Sequence, residues 1–394
     1  MNLLSQFKNK LTFDYVFYVF LLLFLFSLPL SEGLKQISLS VLMLMFMISL
    51  IKRDIKIELD IINIMLLLHL LFVLVGIFVG INFEESLKQC RDTLRIVFVF
   101  LLFRYIDLSK INFKLIIYTI FLSFIITILL GFYIFFTTTE VYIKLNSVGS
   151  PNRSAVFISI IFVVSFCLFF IKNNFNKNLI YVTFFLSSSG VILGGSRMAI
   201  YTLPLLIFLI IYFFNKMNFK NIAYFFVIIV IIVAAIFLFN DNSHLLNKIT
   251  KGFNDIHRIQ LWYSSIYIWS EHNLFFGIGV GNSIFFNPQV YFPSSVMTYI
   301  DNAHNTYLDM LLERGILGLV TYLVFLVYLL ISLFRLKKNN NKLSGYFIIG
   351  IVISIMNIVM SFTNITFRYE FALLMVLIFG LLLNRSFTSK NVNK

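Results

Sequence analysis

The stretch FKLIIYTIFLSFIITILLGFYIFF, residues 113–136, carries a single charge, Lys114, in a run of Ile, Leu, Phe and Tyr with a few small polar residues. As a helix it extends roughly 36 Å at about 1.5 Å per residue, enough to cross the roughly 30 Å hydrocarbon layer of a bilayer. No face of such a helix is polar enough to meet water. Similar runs fill the chain on both sides of it. Before it come Leu11–Leu30, Ile37–Ile51, Ile61–Ile81 and Leu94–Tyr105. After it come Ala155–Ile171, Leu179–Leu193, Met198–Phe214, Ile222–Phe239, Ile316–Phe334, Gly345–Phe362 and Phe371–Leu383. The expected fold is therefore an all-α polytopic membrane protein of about twelve spans. The run ending at Tyr105 is the weakest, because the charged stretch Glu84–Arg95 precedes it.

Composition agrees. Hydrophobic residues make up 60% of the chain and charged residues 12%, against roughly 45–50% and about 25% in soluble proteins. Soluble enzymes, disulfide scaffolds and nucleic-acid-binding domains are excluded, so no nucleic-acid partner is expected; membrane lipids are. Of the two cysteines, Cys167 lies inside an apolar run, which leaves no place for a structural disulfide. Lys8 and Lys10 precede the first run, but no small-residue cleavage site follows it, so it reads as a span rather than a cleaved signal.

Twelve spans put both termini on one side. Connections on that side hold 19 of the 31 basic residues, mostly in very short loops, and the positive-inside rule makes it cytoplasmic. The other 12 are Lys35, Lys88, Arg91, Arg95, Lys144, Arg153, Arg197, Lys248, Lys251, Arg258, Arg314 and Arg368. Arginine supplies seven of these but only four of the 19 inner ones. Its planar fork holds phosphate bidentately and keeps its charge when partly desolvated. The outer arginines thus suggest a phosphorylated, lipid-linked ligand; pairing with outer acids or lipid headgroups is the alternative.

The chain divides into residues 1–239, carrying nine spans, a hydrophilic insertion at 240–315 on the outer face, and residues 316–394, carrying three spans and a tail. The insertion holds four of the five histidines: His244, His257, His272 and His304. The fifth, His69, stands alone in an apolar run and reads as a hydrogen-bonded packing residue. Within the insertion Asp255–Ser270 is an expected helix, with Ile259, Trp262, Tyr263 and Ile266 on one stripe and Arg258 sharing a face with Trp262. Gly277-Ile-Gly-Val-Gly-Asn282 follows as a tight turn; without a strand before it or a βαβ unit around it, it is no dinucleotide fingerprint. Gly279 is where backbone could approach a ligand, a structural turn being the plainer reading. Asp301-Asn-Ala-His-Asn-Thr-Tyr307 then leads into a helix through Glu313. Asp301 or Asn302 is the expected cap, with His304, Leu308 and Leu311 on one face and Asn305, Asp309 and Glu313 on the other. Gly315 closes the turn. Two short connections add Gly149-Ser-Pro-Asn-Arg-Ser154 and Gly194-Gly-Ser-Arg197 to the outer surface. Arg197, so near the membrane, either snorkels to headgroups or meets an anion.

Taken together, Pro151-Asn152, Ser196-Arg197, Arg258-xxx-Trp262, Gly277–Asn282 and the segment from His304-Asn305 through Gly315 resemble, in order, the O-antigen ligase and O-antigen polymerase superfamily of bacterial membrane glycosyltransferases. The resemblance covers most of the chain in topology and residues 149–320 in motifs. Ser270-Glu-His-Asn273 stands where a proline is common before the glycine turn, a departure expected to alter loop shape more than chemistry.

The resemblance implies block transfer of a glycan from undecaprenyl diphosphate to an acceptor sugar hydroxyl, outside the inner membrane. It also implies an architecture like the C-type glycosyltransferases, with no metal or nucleotide cofactor. In a ligase the acceptor is lipid A–core; in a polymerase, the next lipid-linked repeat. The implied catalytic residues are His304, as base or hydroxyl-orienting group, with Arg258 and Arg197 stabilising the leaving diphosphate and Arg153 assisting. Displacement opposite the diphosphate implies inversion. Asn152, Ser196, Gly279, Asn282 and Asn305 complete the implied substrate site, and Trp262 and Tyr307 could stack on sugar rings or serve as interfacial anchors. One dominant outer loop favours ligase, since the loop Thr137–Arg153 is short. A twelve-span lipid-oligosaccharide transporter is the alternative from another class, disfavoured because charge gathers at the outer surface rather than the midplane.

Overall fold

The computed structural model describes residues 13–52, 55–107, 113–138, 140, 142–171, 175–215, 256–293 and 299–389. Among these the regular structure is helical, without strands. In chain order the helices are α1 (Phe13–Ser27), α2 (Glu32–Ile51), α3 (Ile61–Val79), α4 (Phe83–Tyr105), α5 (Phe113–Thr137) and α6 (Pro151–Phe170). The series continues with α7 (Lys177–Leu193), α8 (Arg197–Phe213), α9 (Ile256–Glu271), α10 (Thr306–Asn339), α11 (Ser344–Met360), α12 (Tyr369–Leu382) and the short α13 (Arg385–Ser389).

Five of them, α2, α3, α5, α6 and α10, are long and apolar enough to cross a membrane. The apolar helices α1, α7, α8, α11 and α12 are shorter. The expected run Ile222–Phe239 lies outside the described residues; every other expected run falls on a described helix. The run expected from Leu94 starts eleven residues sooner, at Phe83. Asn82 caps it by accepting from the Glu85 amide, so the charged stretch is the polar first half of α4 rather than a loop.

Two helices form the centre. α6 is buried continuously from Ser154 to Leu168 and α12 from Phe371 to Leu382, as expected of helices apolar on every side. α12 packs on α4, α6 on α7, α10 on α3 and α11 on both α6 and α10. Where α12 meets α4, Gly380 lets the backbones close up: a Cβ there would lie 2.7 Å from the Phe100 carbonyl oxygen. Small residues at such crossings are how helices gain contact in lipid, where no hydrophobic force separates them from the solvent. His69 is buried in α3 and bonds through Nδ1 to the Gly318 carbonyl at 3.1 Å and the Thr321 hydroxyl at 3.2 Å on α10. It is the packing residue its isolation suggested.

At the end where α4 and α12 terminate, Arg104 pairs with Asp60 and donates to Asn63 Oδ1 at 2.7 Å. Asn384 donates to the carbonyls of Phe103 and Ile106. These bonds fix that end. The cavities that matter lie at the opposite end, where α6 and α12 begin.

Candidate functional site

The site is assembled around a break in α10. At Gly315 the backbone turns to φ 65°, ψ −170°, so Thr306–Arg314 and the long apolar part of the helix are separate pieces. The break frees carbonyls and amides, and residues 274–279 occupy them. The amides of Ile278 and Gly279 donate to Leu312 O at 2.9 Å and Glu313 O at 3.1 Å, while Ile316 N donates to Leu274 O at 3.0 Å. Asn273 bends the chain into this position by accepting from the amides of Phe275 and Phe276. The glycine turn is thus spent on structure. A Cβ at Gly279 would sit 2.6 Å from Ser86 Oγ, and buried Asn282 donates to Ser86 Oγ at 3.0 Å and Ile278 O at 2.7 Å. Neither lies on the cavity described next.

The cap of α10 is not Asp301 or Asn302. Asn305 caps it, accepting from the amides of Tyr307 at 3.0 Å and Leu308 at 3.2 Å. The reason is His304, which adopts φ 48° and reverses the chain just before the helix. Asn302 Oδ1 accepts from the His304 amide at 3.0 Å, and the Ala303 amide reaches buried Asp309 Oδ1 at 3.5 Å. His304 therefore stands on the lip ahead of α10 rather than on a face shared with Leu308 and Leu311. Next to it, Thr306 ties the helix start to the α11–α12 connection: its amide donates to Ser361 O and its hydroxyl to Asn364 O, both at 2.8 Å.

His304 opens onto a cavity of about 230 Å³. Ser150, Asn152, Arg153 and Val156 line one wall, from the start of α6. Asp301, Asn302 and His304 form another, and Asn364, Ile365 and Tyr369 a third. Ser150 caps α6 without a side-chain bond and Pro151 follows at the first position. With the Ser154 amide closing on Ser150 O at 2.9 Å, the Asn152 and Arg153 amides have no partner within the helix, and such an end attracts anions. The Arg153 guanidinium lies over the Tyr369 ring at 3.5 Å. Tyr369 takes φ 66°. Two of the three non-glycine residues with positive φ among the described residues, His304 and Tyr369, thus face one cavity, and strain of this kind concentrates at functional sites.

Arg258, on α9, approaches from beside the cavity and donates to Thr363 O at 3.3 Å, one residue from the cavity-lining Asn364. Trp262, a turn further on, is half-buried, its Nε1 enclosed with no hydrogen-bond partner among the described residues. The stripe Ile259, Tyr263 and Ile266 is exposed; α9 buries Leu261, Ser264, Ser265 and Ile268 instead. Ser196 is buried at the start of α8, and Arg197 is half-buried beside it. Neither lines this cavity, and nor do Asn305 or Tyr307. The Tyr307 hydroxyl donates to Ile358 O at 2.9 Å.

The 361–369 connection is the part that sequence reading passed over, though Ser361-Phe-Thr-Asn-Ile-Thr366 is a polar interruption between two apolar runs and ends at Arg368-Tyr369-Glu370. Arg368 is buried behind the cavity, donating to Gln89 Oε1 at 2.9 Å and lying 3.9 Å from Asp92 and 4.0 Å from Glu313. Burial works to lower its pKa, but the charges of Glu313, Tyr369, Asp309 and Asp92 outweigh it and raise the pKa, keeping Arg368 cationic. Arg95 and Arg368 pair with acids, whereas Arg153 faces the cavity. Among the described residues no group of three or more His, Cys, Asp or Glu is placed to hold a metal ion.

No curated protein matches the chain. Residues 182–323, from within α7 through the Arg258 helix and the His304 segment into α10, match the family described as O-antigen ligase. Over that stretch the chain is similar to the O-antigen ligase family.

Proposed function

We propose that the chain is an O-antigen ligase that transfers a glycan from undecaprenyl diphosphate to a sugar hydroxyl of lipid A–core, at the outer face of a bacterial inner membrane. The observation that carries this reading is the cavity that sets His304 and Arg153 around a common space at an unblocked helix start. The positive-inside count supports an outer position for that end of the bundle.

The chemistry follows from the charges that move. The acceptor oxygen attacks the anomeric carbon and loses its proton to the His304 imidazole. The anomeric C–O bond to the diphosphate breaks, and the diphosphate leaves with the bonding electrons. Arg153 and the first amides of α6 hold the negative charge that develops there, the largest electrostatic demand of the reaction. Arg258 and Arg197 supply further positive charge around the donor. Attack from the side opposite the diphosphate inverts the anomeric centre.

A second cavity of about 460 Å³ shares Ser150 with the first and runs along Leu130, Gly131 and Ile134 of α5. Leu130 and Ile134 also belong to the exposed apolar face of α5. A polyprenyl chain lying there would leave its diphosphate at Arg153.

His304→Ala is expected to cut transfer by about 10²–10⁴-fold, with expression and membrane insertion unchanged; undiminished transfer in isolated membranes removes His304 from the mechanism. Ligase and polymerase are separated by the glycan that a deletion strain accumulates. A missing ligase leaves lipid-linked polymer, whereas a missing polymerase leaves a core bearing a single repeat. Purified protein that transfers glycan in detergent, with no sealed compartment, rules out the transporter reading.

A further inference from the structure

A third cavity, of about 190 Å³, shares Tyr369 with the His304 cavity. α4 contributes Arg91, Asp92 and Arg95, α2 contributes Glu32, and α12 contributes Tyr369 and Glu370. We propose that this cavity is the subsite for the acceptor glycan, which presents its hydroxyl past Tyr369 to His304. This rests on the transferase reading above.

The lining selects a sugar over other ligands of the reaction. A lipid chain is excluded, because it would strip water from carboxylates and guanidinium groups without replacing their hydrogen bonds. A phosphate would face three carboxylates. Those carboxylates already have cationic partners: Lys35, itself buried, pairs with both Glu32 and Glu370, and Asp92 lies 3.7 Å from Arg95 and 3.9 Å from Arg368. The local charge is therefore nearly balanced, and the cavity does not call for an ionic ligand. What remains is a set of planar, bidentate groups whose geometry matches pairs of neighbouring hydroxyls. The tyrosine ring adds an apolar platform with a polar tip, suited to the C–H face of a pyranose. The ion pairs linking α2, α4 and α12 hold these groups in place before any ligand arrives, which lowers the ordering cost of binding.

Arg91 is the residue to test, since it is exposed on α4 and supports none of the buried pairs. The probe is the lipid-free oligosaccharide released by mild acid from the source bacterium's own envelope glycan, titrated against the purified full chain in detergent. Undecaprenyl diphosphate is titrated in parallel. Arg91→Ala is expected to weaken oligosaccharide binding about tenfold, the loss of a charged hydrogen-bonding pair, while undecaprenyl diphosphate binds as before. Arg91→Lys is expected to be as weak as the alanine variant, because it keeps the charge but loses the fork. Equal affinity in wild type and Arg91→Ala, or no oligosaccharide binding by the wild type, overturns the subsite. Recovery in Arg91→Lys marks an anion site and also overturns it. Oligosaccharide binding that depends on Arg91 in a protein that does not bind undecaprenyl diphosphate supports the subsite and sinks the donor reading instead.

Discussion

At the scale of single residues, the site depends on side chains that hold backbone rather than touch substrate. His304 keeps its left-handed conformation because Asn302, Asp309 and Asn305 each bond the chain within three residues of it. A conformation costing about 1–3 kcal/mol persists only when its surroundings over-determine it. Asn305→Ala removes the α10 cap and is expected to lower stability by about 1 kcal/mol, read as a fall in thermal midpoint in detergent. It should also reduce transfer, since the lip carrying His304 is no longer anchored; full activity at unchanged stability contradicts that account. Arg368 is a different case. Replacing it with Gln leaves buried Glu313 without its cation and takes one of two from Asp92, a change expected to cost about 3–5 kcal/mol. Arg368→Gln should therefore show poor folded yield in detergent, partly restored by adding Glu313→Gln. A single variant as stable as wild type would show the pairing to be unimportant.

Among the elements, α10 decides the most. A continuous helix from Thr306 to Asn339 would satisfy its own hydrogen bonds and leave no place for residues 274–279. The break at Gly315 creates that place, and the glycine turn fills it. A Cβ at Gly315 would overlap the Phe275 carbonyl, and φ 65° disfavours any L side chain. Gly315→Ala is accordingly expected to be among the most disruptive single-methyl changes in the chain. It should undock the glycine turn from α10, seen as new protease sensitivity in residues 274–282. Wild-type resistance would mean the break survives without glycine. The start of α6 acts at the same scale. Its free amides supply positive potential where Arg153 stands, so Arg153→Lys should retain part of the transfer activity and Arg153→Ala little. Equal activity in the two variants would deny the arginine a role in holding charge.

Across the whole molecule, apolar runs, the run of lysines at short loops and the order of motifs were enough to read a helical membrane protein and a resemblance that the family match over residues 182–323 supports. These signals are local: hydropathy over about 20 residues and spacing within a motif do not need the fold to be known. His304, Arg153 and Asn152, which line one cavity, were legible as candidates for the same reason, since each sits in a short polar stretch between apolar runs. Helix length was less legible, because the run of charges before Leu94 belongs to α4 and the packed bundle, not hydropathy, sets where α4 begins. The roles of Gly279, Asn282, Asn305 and Tyr307 were legible only as motif members. A motif records that a residue is required, not whether it faces ligand or backbone. The cavity itself belongs to tertiary structure alone. Its walls come from residues 150–156, 301–304 and 364–369, which are far apart in sequence and meet because α6 and α12 pack side by side at the centre of the bundle. Sequence determined the solvent, the helices and the chemistry carried by a few polar residues; packing alone decided which of them share a space, because that depends on contacts between segments hundreds of residues apart.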